Sequence, residues 1–285
     1  MAENSMRTVL ISQKDSPVVG EAMARWLASF SDYRGSIELI DQPGGRWKKL
    51  KREAKRVGWL RMPDVLAFRL WYKLFFATPD QQWQSQQMQL LRKRYPINID
   101  DQPKLVSTSP NSSEAEAFLQ QAQPDIVIAA CKHLLKPHIY QIASTGTFVM
   151  HPGICPQYRN AHGIFWALAQ NDLSHVGMTL LKIDQGIDTG PIYGYFHQPF
   201  DEWNESHLVI QRRTTLDSLD QVADTLQLVH AGLAKPLNVS QDNSAVWGQP
   251  WLSSHIKWKW NALRRRWKSQ TSAPVIAQQA ETSRH

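Results

Sequence analysis

The stretch "TFVMHPGICPQYRNAHG", Thr147 to Gly163, sets a histidine at the end of an apolar, β-branched run. Asp188 follows later, in the turn "IDQGID". A histidine beside a carboxylate can act as a general base, or as a cation that meets a developing oxyanion. Taken alone, the two residues are better explained as a hydrogen-bonded loop histidine and a turn aspartate. Cys155 lies four residues from His151. A Cys–His nucleophile pair is conceivable there, but an apolar, half-buried cysteine is the simpler reading. His162 and His175 lack ligand-like spacing with His151 and the acids, so no metal site is expected.

The elements around these residues decide how much weight they carry. "RTVLIS" (7–12), "GSIELID" (35–41), "PDIVIAA" (124–130), "GTFVMH" and "VGMTLLKID" read as strands. Helical periodicity lies between them, in "VVGEAMARWLASF" (18–30), "SSEAEAFLQQAQ" with Ser112 or Ser113 as N-cap, "LLKPHIYQIAS" and "HGIFWALAQN". This alternation predicts an α/β fold: a Rossmann-like, mostly parallel sheet with helices on both faces. Ligands bind such sheets outside the carboxyl ends of the strands. His151 and Asp188 are both read as leaving the sheet on that side.

Residues 46–95 read as an inserted helical hairpin. Its aromatics, in "DVLAFRLWYKLFFA", are expected to pack against the sheet. "NESHLVIQRRTTLDSLDQVADTLQLVHAGL" reads as a long helix broken near Thr215. The α/β domain is placed at 1–235. A C-terminal extension follows at 236–285, with a basic amphipathic helix over 253–269 and a polar tail expected to be disordered.

"HPGICPQYRNAHGIFWAL", with "VGMTLLKIDQGIDTGPI" beginning 25 residues after His151, resembles the folate-dependent formyltransferase family. The family includes glycinamide ribonucleotide, methionyl-tRNA and sugar N-formyltransferases. Its strand end reads Asn-x-His-Pro-Ser, then Leu-Pro and Tyr-Arg-Gly. Its later segment reads Gly-x-Thr, then Asp-x-Gly-Pro-Ile. The matching residues are His151-Pro152-Gly153, Pro156, Tyr158-Arg159, Gly177-x-Thr179 and Asp188-Thr189-Gly190-Pro191-Ile192. The resemblance covers 124–196, is weaker over 7–41, and is not seen over 46–95 or beyond about 235.

That resemblance implies transfer of a formyl group from 10-formyltetrahydrofolate, as co-substrate, to a primary amine. His151 would stand near the formyl carbon. Asp188 would orient it and help move the amine proton. Ala130, His133, Leu134 and Leu135 on one loop, with Ile183, Asp184 and Gly186 on a turn, would hold the pteridine. Tyr158 and Arg159 would border the amine substrate.

Two departures stand out. The family asparagine two residues before the histidine is Val149 here, and valine cannot donate to an oxyanion. Removing such a donor typically costs about 10²–10³ in rate. Asn160 is the first candidate replacement, Thr147 the second, with Lys132 and His133 as further options. The turn after the first strand, "SQKDSPVVG", lacks the closely spaced glycines of a phosphate cradle, which argues against a purine-precursor acceptor. The 50 residues after 235 are too few for the barrel domain of the tRNA enzyme. An amino sugar or another amine-bearing metabolite is the expected acceptor, reached by elimination. Hydrolysis of 10-formyltetrahydrofolate, or a degenerate binding protein that lost activity with the asparagine, is the alternative.

The net charge is +7, concentrated in "RWKKLKREAKRVGWLR" (46–61) and "HIKWKWNALRRRWK" (255–268). Two local basic surfaces on a nearly balanced domain do not read as a nucleic-acid binder. Two cysteines and an N-terminus without a secretory signal predict a cytoplasmic chain. Ile256, Trp260, Leu263 and Trp267 fall on one helical face. The first reading of that helix is docking on the domain. The second is peripheral contact with an anionic membrane at its cytoplasmic face. The oligomeric state is not legible.

Overall fold

Strand signals in the N-terminal half produce β1 (Arg7–Gln13), β2 (Asp32–Leu39), β3 (Lys104–Ser107) and β4 (Ile126–Ala130). Further along the chain lie β5 (Gly146–His151), β6 (Arg159–Asn160), β7 (Met178–Lys182), β8 (Ile192–Phe196) and β9 (Val246–Trp247). The computed structural model that shows them describes residues 5–41, 51, 53–55, 57–240 and 243–271. The basic run at 46–50 and the polar tail from 272 lie outside the described residues.

Seven strands form one sheet in the order β3-β2-β1-β4-β5-β7-β8. The first five pair in parallel, while β7 runs antiparallel to both β5 and β8. This is the Rossmann-like, mostly parallel sheet that alternation of strand and helix predicts. The central strands β1 and β4 are apolar on both faces because helices cover both.

One face is covered by α1 (Pro17–Phe30), α3 (Ala77–Arg94) and α8 (Leu219–His230). There Leu10, Ile126, Ile128, Phe148, Met150, Met178 and Leu180 meet Trp26, Leu27, Leu91 and Leu226. The other face carries α4 (Ser113–Ala122) and the short α5 (Pro137–Tyr140), with Val9, Ile11, Ile37 and Val127 against Leu119 and Ile139. Ser112 caps α4, its side chain accepting from the Ala115 amide at 3.3 Å. The long helix is broken at Ser218, three residues beyond Thr215, where α7 (His207–Asp217) and α8 meet.

The hairpin departs from expectation. Its helices are α2 (Met62–Phe75) and α3, joined at Phe76. Met88 and Leu91 of α3 do enter the sheet core. Phe68 of α2 instead packs on α6 (Gly163–Ala169) and α9 (Leu252–Thr271), with Phe165 and Trp258. Leu66, Leu70, Trp71, Leu74 and Phe75 are exposed. Thus of α2 and α3 it is α3 that covers the sheet, while the aromatic α2 bridges to the C-terminal helix.

Candidate active site

His151 is the last residue of β5 and pairs across to Thr179 of β7. Alternation along β5 sends Phe148 and Met150 into the main core and Thr147, Val149 and His151 to the other face. His151 is only 4% exposed. Its Nε2 faces the Tyr158 carbonyl oxygen at 2.8 Å and its Nδ1 faces Asp188 Oδ2 at 3.4 Å. Both ring nitrogens therefore point at oxygen acceptors. A neutral imidazole has a single N–H to offer them, whereas imidazolium donates to both.

Asp188 reaches that position by a different route from the one its sequence suggests. Because β7 is antiparallel to β5, Lys182 lies beside Phe148 and the chain leaves β7 at the end of the sheet away from His151. The loop from 183 to 191 then doubles back. Its start is tied down by the Ile183 amide, which donates to the Thr147 carbonyl at 2.8 Å. Asp184 accepts from the Gly186 amide at 2.9 Å and the Thr189 hydroxyl at 2.7 Å, an Asx-type turn. Gly190 is pressed onto Lys182, whose carbonyl oxygen would lie 1.8 Å from any Cβ there. Asp188 itself takes a left-handed backbone, φ 51°. The expectation that both residues leave the same strand ends is thus corrected, although the two side chains meet.

The loop from 152 to 163 forms the opposite wall. A Cβ on Gly153 would lie 2.7 Å from the Tyr158 carbonyl oxygen, and Gly153 and Gly163 pack backbone to backbone. This close contact explains why glycine follows His151-Pro152 here. Thr179 Oγ1 donates to the Gly153 carbonyl at 2.7 Å and accepts from the Cys155 amide at 3.0 Å. Cys155 is fully buried, and burial pushes its thiol pKa up, so it is poorly suited to act as a thiolate nucleophile.

Asn160 is drawn into the site by its backbone. Its amide donates to Asp188 Oδ2 at 2.7 Å, with φ at 72°. Asparagine tolerates that left-handed conformation better than most residues. Its side-chain Nδ2 donates to the Trp247 carbonyl. Thr147, the second candidate donor, is buried and gives its hydroxyl to the Tyr140 carbonyl at 2.9 Å. Val149 packs into a small apolar cluster with Cys155, Leu181 and Ile192. That packing is the physical counterpart of the missing asparagine.

One contributor escaped sequence reading. Residues 246–247 form β9, which pairs with β6 and braces the Tyr158–His162 loop. Trp247 stacks on Tyr158 at 5.7 Å and on Trp166 at 4.8 Å, and its Nε1 donates to the Gln157 carbonyl at 2.9 Å. The only local signal was "AVWGQPW", an apolar fragment in an otherwise irregular stretch. Tyr158 donates to Asp172 at 2.8 Å, and Arg159 Nη1 donates to the Ile187 carbonyl at 3.3 Å. Arg159 Nε is buried and has no partner among the described residues.

The segments expected to hold the pteridine flank this loop. His133 lies beside Gln13 at the end of β1, 3.3 Å between side-chain nitrogens, and Leu134 is exposed. The positive charge of Lys132 acts on His162, while Ile187 takes the Arg159 contact. Ala130 ends β4, and Leu135 packs against the core on the sheet face that carries α4 and α5.

A family model described as formyl transferase matches residues 76–216. These residues belong to the formyl transferase family. The formyl transferase stretch takes in His151, Asp188, the 152–163 loop and also α3, so the family extends into the hairpin, where the sequence showed no resemblance. A methionyl-tRNA formyltransferase from Chlorobium limicola is 26% identical over 164 residues, covering 56% of this chain and 49% of that protein. One from Kosmotoga olearia is 38% identical over 92 residues, 32% of this chain and 28% of the other. The chain spans about half the length of the curated relatives it matches, or less. Among solved structures, a sugar N-formyltransferase from a Shewanella species superposes with a TM-score of 0.51 at 14% identity, covering 85% of this chain and 76% of that one. A 4-N formyltransferase from Francisella tularensis gives 0.52 at 9%, covering 90% and 87%. These two share the formyl transferase fold.

Proposed function

We propose that this chain moves a formyl group from 10-formyltetrahydrofolate to a primary amine on a small molecule, an amino sugar being the favoured class. The observation that carries the reading is the His151–Asp188 contact at 3.4 Å within the formyl transferase stretch. The donor would supply an activated formyl carbon. The loop 130–135 and the turn 183–187 fit a flat, apolar ring with polar edges: Leu134 and Ile187 are exposed beside main-chain groups. Asp188, steadied by the Asn160 amide, holds the His151 ring. His151 in its doubly protonated form would meet negative charge as it develops on the formyl oxygen. To do so it exchanges one of its present acceptors, the Tyr158 carbonyl or Asp188, for that oxygen. The amine proton would pass toward Asp188.

The acceptor class is reached by what the first turn does with its amides. The Lys14 amide donates to the Leu39 carbonyl and the Ser16 amide to the Gln13 carbonyl, at 2.9 and 3.1 Å. Neither is free to cradle a phosphate. A neighbour in fold is named a sugar N-formyltransferase, which suits an amino sugar. The apolar packing of Val149 favours a second reading, folate binding without turnover.

The deciding experiment incubates the protein with 10-formyltetrahydrofolate, with and without a panel of amino sugars and other amines, while following tetrahydrofolate and formate together. Tetrahydrofolate released only with an amine, without formate, supports the transferase. Formate released without an amine replaces it with a hydrolase, and binding without either product leaves the degenerate protein.

A further inference from the structure

The C-terminal helix α9 docks on the domain, but by the opposite face from the apolar stripe that its spacing singles out. Its buried contacts are His255, Trp258 and Ala262, set against Phe68, Phe76 and Phe165. Two cations clamp it. Lys259 Nζ donates to the Glu202, Trp203 and Glu205 carbonyls at 2.8, 3.0 and 3.1 Å, and Arg265 pairs with Glu202. The row on the other side stands in solvent: Ile256 is 59% exposed, Trp260 55%, Leu263 39% and Trp267 69%. The docked-helix reading of the sequence therefore holds for the helix and fails for the stripe.

The surroundings of the row say what covers it. The described helix, Leu252 to Thr271, carries six lysines and arginines and no acid. Lys257, Arg264 and Lys268, at spacings of seven and four, run alongside the apolar row. Arg264 lies over the Trp260 ring at 5.2 Å. The neighbouring α2 packs against α9 and leaves Leu66, Leu70 and Leu74 exposed, one helical turn apart. Its acid, Asp64, is taken up by the amide and hydroxyl of Ser253.

An exposed apolar row of this kind marks an interaction surface. A second copy of the chain does not suit it. A two-fold contact would set the same face against itself and bring like cations together. A sugar-phosphate backbone would meet the cations but leave Ile256 and Leu263 without a partner. An anionic lipid surface satisfies both: headgroup phosphates take the lysines and arginines, tryptophan sits at headgroup level, and the aliphatic side chains enter the acyl boundary. We propose that α9 seats this protein on an anionic bilayer surface, lying in the interface plane with Ile256, Trp260, Leu263 and Trp267 inserted. Among the described residues no helix is long and apolar enough to cross a membrane, so the contact is peripheral. It does not depend on the formyl-transfer reading.

The test uses the full-length protein and vesicles of phosphatidylcholine, alone or with about a third phosphatidylglycerol, in cosedimentation at low and high salt. The protein should bind the anionic vesicles and bind less at high salt. Tryptophan emission should shift to the blue. Trp260→Ser with Trp267→Ser should weaken partitioning by about tenfold per residue while melting at the wild-type temperature. Lys257→Glu with Arg264→Glu should abolish the preference for anionic lipid. Vesicle binding that is absent, or unchanged in the tryptophan variant, overturns the proposal. So does a wild-type dimer that the tryptophan variant disperses, or retention on RNA that only the charge variant loses.

Discussion

His151 has both ring nitrogens engaged, by the Tyr158 carbonyl and by Asp188, and Asp188 also receives the Asn160 amide. The group therefore acts as a unit, and removing its carboxylate should disarm it. Asp188→Ala is expected to lower kcat by about 10²–10⁴ with folate affinity nearly unchanged, as steady-state kinetics set beside a binding titration would show. Asn160 needs a different variant. Its φ of 72° penalises alanine, whereas Asn160→Gly keeps the backbone and deletes only the amide side chain. If that side chain meets the reacting oxygen as well as Trp247, kcat falls far more than folate affinity. Equal kcat in the variant assigns Asn160 to bracing β9 alone. Val149→Asn places an amide in the Cys155–Leu181–Ile192 cluster. A buried amide without a partner costs about 1–3 kcal/mol, so its melting temperature should drop, by roughly 2–4 °C per kcal/mol in a chain of this size.

The two-residue strand β9 is small but holds the wall of the site, since Trp247 bridges Tyr158 and Trp166. Trp247→Ala should leave the sheet intact and loosen the 157–163 loop. The expected readout is faster amide exchange confined to that loop, together with lost turnover. Uniformly faster exchange across the sheet would show that β9 supports the whole fold instead. The same scale explains the glycines of the loop. Gly153 and Gly163 sit where a side chain would strike the Tyr158 carbonyl at 2.7 Å. A rigid carbonyl cannot move aside cheaply, so alanine at either position would displace the oxygen that faces His151.

Across the molecule, α2, α6, α7 and α9 meet around three histidines, of which His207 and His255 are buried and His162 partly so. His207 contacts Phe68 at 5.5 Å and His162 at 5.6 Å, and Phe68 contacts His255 at 5.6 Å. Burial pushes His162 and His255 down to about 4 and His207 well below its ordinary value. The nearby cations Lys259, Arg212, Lys132 and Arg69 push the same way. Between about pH 6.5 and 4 the unfolded chain takes up protons at these positions while the folded chain does not. Stability therefore falls as pH falls through that window. Thermal melts from pH 7.5 to 4 should show the decline, and His207→Gln should make it shallower. A melting temperature independent of pH in that range would mean that these rings are solvated or already charged.

Much of this was present in the order of residues. The strands around Ile126 and Phe148, a cap at Ser112 or Ser113 and the apolar row on α9 follow from local pattern, and the pairing of His151 with Asp188 follows from the family resemblance of their motifs. Periodicity records which side of a segment is buried, and a motif records which side chains chemistry requires. Neither records what lies opposite. The direction of β7, and with it the path by which Asp188 returns to His151, is set by long-range pairing between strands. The use of Asn160 to hold Trp247, the apolar lodging of Val149 and the strand at 246–247 depend on segments far apart in the chain. So does the choice of face by which α9 docks. Two stripes of that helix were apolar or amphipathic enough to bury, and the hydrophobic effect has no direction of its own. The shape of the surface formed by Phe68, Phe76 and Phe165, with the carbonyls that receive Lys259, selected Trp258 for the core and left Trp260 and Trp267 outside.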